Sequence, residues 1–183
     1  NRVKSINNRM TSIIADSEIE RFFKDKTLNL KATCETTDFK DSRFIIICTP
    51  TNYDPKTNQF NLDSIYSVIE NICSCSSNAS IVIKSTIPVG LTQKLRKKYN
   101  KEEIFFSPEF LREGQAIRDN IYPSRIIVGS DSSEAREFAE LLLQISEKKD
   151  NRIPVQFMNS SEAEAVKLFS NTYLAMRIAY FNE

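Results

Sequence analysis

Two kinds of hydrophobic run alternate along this chain. The first is short, continuous and rich in β-branched residues: Phe44-Ile45-Ile46-Ile47 and Ile81-Val82-Ile83 lack the apolar-polar alternation of a half-exposed strand, so they predict strands covered on both faces of a parallel sheet. Strands are predicted over Leu28–Thr33, Arg43–Cys48, Ser80–Ser85, Glu103–Ser107, Arg125–Gly129 and Pro154–Met158. The second kind of run repeats every three or four residues. It predicts helices over Val3–Met10, Ser17–Lys26, Leu62–Cys73, Val89–Tyr99 and Ser133–Ile145. In the last of these Ala135, Phe138, Leu142 and Ile145 recur at helical spacing, with Glu134, Arg136, Glu137 and Glu140 mostly turned to solvent. Pro88 suits the start of its helix, where a missing N–H has no intrahelical partner anyway. Such alternation predicts an α/β fold, a doubly wound and mostly parallel sheet with helices on its faces.

The end of the chain reads differently. From Asn159 to Glu183 no Gly or Pro interrupts, and Ser161 and Glu164 have capping-box spacing, so one long helix is predicted. The chain therefore divides into a domain over residues 1–158 and a long helix over 159–183. Lys167 and Asn171 stand in this largely apolar helix one turn apart, on one face with Ala163, Ser170 and Leu174. A lysine there can snorkel outward, or it can serve a polar site.

Composition narrows the function classes. A length of 183 residues suits one domain that buries a core without disulfides or metals. With 40% hydrophobic residues and a net charge of +1, there is no bulk electrostatic case for nucleic-acid or membrane binding. No apolar stretch approaches the ~20 residues of a membrane span. The absence of histidine removes the commonest general base and a common zinc ligand. Cys34, Cys48, Cys73 and Cys75 make no metal motif, since Cys73-Ser74-Cys75 is one residue short of Cys-x-x-Cys. They read as reduced thiols of a cytoplasmic protein, Cys48 as a small buried hydrophobe closing its strand. The basic run Lys94-Leu95-Arg96-Lys97-Lys98 reads as a solvated helix end.

In open parallel sheets ligands bind beyond the carboxyl ends of the strands. Thr51, Thr86 and Glu109 each follow a predicted strand directly, so all three converge on one edge. Each also has a plain structural reading: Thr51 in a turn beside Pro50, Thr86 capping the next helix, and Glu109 with Glu113 as surface carboxylates around Phe110 and Leu111. Arg112 can reach a diphosphate or form an ion pair with a nearby carboxylate.

Five strings decide between such readings. Cys48-Thr49-Pro50-Thr51, Ser85-Thr86-Ile87-Pro88-Val89-Gly90, Ser107-Pro108-Glu109-Phe110-Leu111-Arg112-Glu113-Gly114, Pro123-Ser124-Arg125 and Lys167-Leu168-Phe169-x-Asn171-Thr172-Tyr173-Leu174 occur in the order and approximate spacing of the UDP-glucose dehydrogenase family, which the chain resembles over nearly its whole length. The resemblance implies a Rossmann-like fold and a twofold, NAD-dependent oxidation of UDP-glucose to UDP-glucuronate through a cysteine thioester. It implies that Thr86 holds a catalytic water, Glu109 transfers protons, and Lys167 and Asn171 stabilise charge on the substrate oxygen. Arg2, Thr51, Thr86 and Glu113 would contact the cofactor. Glu109 to Glu113, with Lys167 and Asn171, would line the substrate pocket, and the long helix would take part in a homodimer. Two alternatives stay open: a dehydrogenase for GDP-mannose or a UDP-N-acetylhexosamine, and a catalytically dead interaction domain.

The only glycines, Gly90, Gly114 and Gly129, are too dispersed for the Gly-x-Gly-x-x-Gly turn that lets a backbone approach a pyrophosphate. By resemblance that turn and an acidic ribose ligand would precede Asn1, and the nucleophilic cysteine would follow Glu183, so an internal piece of an enzyme is expected. Purified 183-residue protein should therefore bind NAD weakly in calorimetry and form no UDP-glucuronate. Tight NAD binding by this material would mean that the cofactor site lies elsewhere.

Overall fold

A computed structural model describes residues 2–10, 17–25, 28–75, 78–112, 114–146 and 153–183. Its helices are α1 (Arg2–Asn7), α2 (Ser17–Lys24), α3 (Asp63–Ser74), α4 (Leu91–Tyr99), α5 (Ala116–Ile121), α6 (Ser133–Ile145) and α7 (Ser160–Asn182). Its strands are β1 (Phe44–Ile47), β2 (Tyr53–Asp54), β3 (Gln59–Phe60), β4 (Ser80–Ile83), β5 (Ile104–Phe106), β6 (Ile126–Val128) and β7 (Val155–Phe157). Strands β1, β4 and β5 pair in parallel in that order, with Ile47 opposite Ile83 and Ile83 opposite Phe106. A second parallel pair joins β6 to β7, Ile126 facing Val155. The two sheets meet where the Gly129 amide donates to the Phe106 carbonyl (2.7 Å) and the Ser107 hydroxyl to the Ile127 carbonyl (2.9 Å).

Strand alternation splits the buried side chains into two cores. On one face Ile45, Ile47, Ile81, Ile83, Ile104 and Phe106 pack with Ile65, Ile69 and Ile72 of α3, Leu91 and Leu95 of α4, and Ala163 of α7. On the other, Val82, Phe105, Ile126 and Val128 pack with Ala135, Phe138 and Ala139 of α6. The Phe138 ring lies 5.5 Å from that of Phe44 and 5.8 Å from that of Phe105. Helices thus cover both faces, and all four residues of β4 are buried.

Several expectations need correction. Full cover does not extend to β1: Ile46 is 48% exposed and Cys48 is exposed, because α6 shields that face only as far as Phe44. Leu28–Thr33 forms no strand. The groups a neighbouring strand would use are taken by side chains, with Arg9 donating to the Leu28 and Leu30 carbonyls and Asn7 holding both backbone groups of Ala32. Pro88 lies before α4 rather than in it; the cap is Gly90, held at φ 88°, where a side chain would be strained. The capping box of α7 is formed by Asn159 and Glu162, two residues upstream of the expected pair. The hairpin of β2 and β3 and the short α5 left no periodic signal to read. At the end of α4 Lys94, Lys97 and Lys98 are exposed, as expected.

Gly129 is the tightest point of this fold. A Cβ built there would lie 3.0 Å from the Phe106 carbonyl oxygen, 3.0 Å from Ser160 Cα and 3.1 Å from Ala163 Cβ. Two of these neighbours are backbone and the third is a buried methyl, so none can swing away. Gly129→Ala should lower unfolding free energy by about 1–3 kcal/mol, read as a fall in the thermal midpoint. An unchanged midpoint would mean that α7 yields at this contact.

Candidate functional site

The carboxyl edge is built first from hydroxyl groups. After β1, the Thr49 carbonyl accepts from the Ser85 hydroxyl at 2.7 Å, and the Thr49 side chain accepts from Ser64 at 3.2 Å. One step further out the Thr51 hydroxyl donates to the Thr86 carbonyl at 2.7 Å. These bonds stitch the loop after β1 to the loop after β4, so the two threonines expected at the site are neighbours.

The loop after β5 meets α7 at the same edge. Lys167 is half-buried, and its ammonium donates to the backbone carbonyl of Glu109. That the carbonyl takes this bond in place of the carboxylate was not legible in the residue pattern. The Phe110 ring carries Arg125 over it at 4.1 Å and lies 5.6 Å from the Lys167 ammonium. Burial pushes the Lys167 ammonium below the ordinary lysine value; the Glu109 carboxylate opposes that shift and Lys84 adds to it. Lys84 is pushed down too, by burial first, with Glu109 again opposing. The charge of one carboxylate thus opposes the shift of both lysines.

Glu109, Phe110 and Leu111 line one wall of a cavity of about 310 Å³, closed on other sides by Lys84, Tyr122 to Arg125, and Leu142 and Ile145 of α6. Arg112 is held by Asp119: its guanidinium and amide bind that carboxylate at 2.6–3.2 Å, the ion pair that was one of its two expected fates. Glu113 lies outside the described residues. Arg2 is exposed on α1, and among the described residues no bond ties it to Thr51, Thr86 or Glu109. Asn171 is exposed one turn beyond Lys167, so the face they share opens to solvent.

Residues 1–146 match the model of the UDP-glucose/GDP-mannose dehydrogenase family, NAD binding domain. The chain belongs to that family. It is 47% identical over 189 residues to a UDP-glucose 6-dehydrogenase of Streptococcus pneumoniae, and 45% identical over 184 residues to one of Campylobacter jejuni. Both matches take in 100% of this chain but 47% and 46% of the relatives, so the chain spans about half the length of the curated relatives it matches. A UDP-glucose dehydrogenase from Pyrobaculum islandicum superimposes with a TM-score of 0.79 at 26% identity, over 98% of this chain and 43% of that one. A GDP-mannose dehydrogenase from Pseudomonas aeruginosa, at 21% identity, shares the fold with a TM-score of 0.85 over 99% of this chain and 44% of its own.

The cofactor of the family's domain is NAD, and the residues present fit one end of it. Thr51 sets its hydroxyl against the Thr86 carbonyl at the carboxyl edge, which suits a ribose, whereas no glycine-rich turn among these residues could cradle the pyrophosphate. Among the described residues no helix is long and apolar enough to cross a membrane, and no group of three His, Cys, Asp or Glu could hold a metal.

Sequence reasoning missed two residues here. Lys84 shares the strand face of Val82 and closes β4 with a charge at the sheet edge, a signal that was readable. Glu164, fully buried, was assigned to a cap it does not form.

Because Lys167 loses a proton more readily in the folded than in the unfolded chain, the unfolded state binds more protons between the lowered value and the ordinary one. Its contribution to stability should therefore rise with pH across that window. Unfolding of wild type and Lys167→Met at a series of alkaline pH values checks this. The difference should move in favour of wild type as pH rises, and a flat difference would contradict it.

Proposed function

We propose that this chain is the NAD-binding portion of a UDP-glucose 6-dehydrogenase, which oxidises the C6 alcohol of UDP-glucose twice to give UDP-glucuronate. Residues 1–158 form the nucleotide-binding domain, and 159–183 begin the helix that links it to the next. The observation that carries this reading is Lys167, whose half-buried ammonium reaches from α7 to the Glu109 carbonyl at the edge where Thr51 and Thr86 meet. The names of the relatives support the substrate.

NAD would supply the hydride acceptor for both oxidations. In this reading the alcohol would pass to an aldehyde, a cysteine thiol from outside these residues would add to its carbon, the second oxidation would leave a thioester, and water would release the acid and free the thiol. Lys167 commits one of its three N–H donors to Glu109 and keeps two for the substrate oxygen as charge develops on it. Asn171 offers its amide one turn away on the open side of the face. Thr51 gives its proton to the Thr86 carbonyl and presents lone pairs to a ribose hydroxyl. Thr86 holds the hydrolytic water, and Glu109 moves protons to and from it. The cofactor contacts of Arg2 and Glu113, and substrate contacts of Phe110, Leu111 and Arg112, belong to this reading. A second copy of the chain covers the exposed apolar residues of α7, Phe169, Leu174, Met176, Ile178 and Phe181, in a cytoplasmic homodimer.

In a chain extended to the length of its relatives, NAD reduction should be fastest with UDP-glucose among UDP-glucose, GDP-mannose and UDP-N-acetylhexosamines. Lys167→Ala should lower turnover by about 10²-fold or more while changing substrate KM far less. Near-normal turnover in a folded Lys167→Ala protein with a lowered melting temperature would make Lys167 structural. No NAD reduction with any of these sugars would refute the reading.

A further inference from the structure

We propose that Glu164 is a positioning residue, whose carboxylate fixes the loop carrying Thr86 against the helix carrying Lys167. The proposal rests on the dehydrogenase reading above for what those two residues do, but its geometry stands apart from it.

Glu164 is 0% exposed. A carboxylate taken so fully out of water needs strong partners, and among the described residues no lysine or arginine pairs with it. Its partners are all at the start of α4: the Gly90 amide, the Thr92 amide at 2.8 Å and the Thr92 hydroxyl at 2.6 Å. Three donors on two oxygens satisfy backbone amides that the first turn of a helix otherwise leaves open, and the positive end of the α4 dipole favours the negative charge.

The consequence lies in what the two ends are attached to. Gly90 is four residues beyond Thr86, and the intervening Ile87 is buried in the core below. Glu164 is three residues before Lys167 on the same helix, so both side chains leave α7 on neighbouring positions. Lys167 then binds the loop after β5, and Thr51 binds the Thr86 carbonyl. The α7 helix is therefore held at two points a turn apart, one to the loop after β4 and one to the loop after β5. If α7 slid or rotated at Glu164, a buried ion would lose its donors, so the spacing between Thr86 and Lys167 is fixed. An apolar residue could fill the same volume, yet it would leave the amides of Gly90 and Thr92 unmet and that spacing free.

The test uses the chain extended to the length of its relatives. Glu164→Gln keeps one accepting oxygen but turns an NH2 toward an N–H donor. It should lower kcat by about 10- to 10²-fold, the scale of a misplacement near 1 Å, with KM for UDP-glucose and NAD within about threefold of wild type. In a Thr86→Ala background the same substitution should cost less than about threefold more in kcat, because the group it positions is already gone. Amide exchange at Gly90 and Thr92 should speed up, while that of Val82 and Phe105 in the sheet stays as in wild type. Thr92→Val removes only the hydroxyl bond and conserves shape, so it carries the same cycle, with a smaller effect, if Glu164→Gln does not fold. A lowered melting temperature with kcat per folded molecule within about threefold of wild type, or kcat effects that multiply with Thr86→Ala, would overturn the proposal. Should the wild type not oxidise UDP-glucose at all, the dehydrogenase reading is what fails. The clamp is then judged by exchange alone, and unchanged rates at Gly90 and Thr92 would overturn it.

Discussion

At Gly129 three backbones come so close that a side chain would have to push one of them aside. The β6 strand passes its amide to the Phe106 carbonyl, and the Ser160 hydroxyl at the first turn of α7 donates back to the Gly129 carbonyl at 2.7 Å. Ser160 Cα lies 3.0 Å and Ala163 Cβ 3.1 Å from where a Cβ would stand, so the absence of a side chain at Gly129 lets the first turn of α7 sit in this position. Every functional side chain of that helix inherits the constraint. With Ala163 pressed into the core, Glu164 falls against α4 and Lys167 falls over the loop after β5.

From that start the edge of the sheet assembles in layers. Buried isoleucines of β1 and β4 set the strands in register, and the hydroxyl groups of Thr49, Ser64 and Ser85 tie the loops that leave them. The outer layer holds charge: burial depresses the ammonium groups of Lys84 and Lys167, and the Glu109 carboxylate opposes both shifts. The face that carries Lys167 stays open toward solvent at Asn171.

Local pattern carried much of this fold. Ser133–Ile145 is a helix with its expected bounds, since its apolar period, its Ser132 cap and its charged outer face all agree. Five of the six predicted strands are present, each trimmed by a residue or two, and the continuous apolar runs of β4, β5 and β6 are buried throughout. The sixth, Leu28–Thr33, failed for a reason no local pattern holds: Asn7 and Arg9, some twenty residues away, occupy its backbone. Ile46 likewise has the right residue type for a covered strand, but cover is supplied by α6, which stops short of it.

At the site the division is similar. Residue types and their order placed Thr51, Thr86 and Glu109 at one edge, because strands of a parallel sheet all deliver their following loops to the same side, while Lys167 was brought there by the family resemblance alone. Which atoms would meet was beyond that logic. Whether Lys167 finds the Glu109 carbonyl or its carboxylate, whether Arg112 pairs with Asp119 or stays free, and whether Glu164 caps its own helix or another one depends on distances between elements far apart in sequence. The sequence by itself determined most of the elements, the family and the identity of the polar side chains, since these follow from periodicity and motif. Only the tertiary structure decided their partners. A buried charge is satisfied by whatever the packing brings within reach, and packing is set by the whole core rather than by its neighbours along the chain.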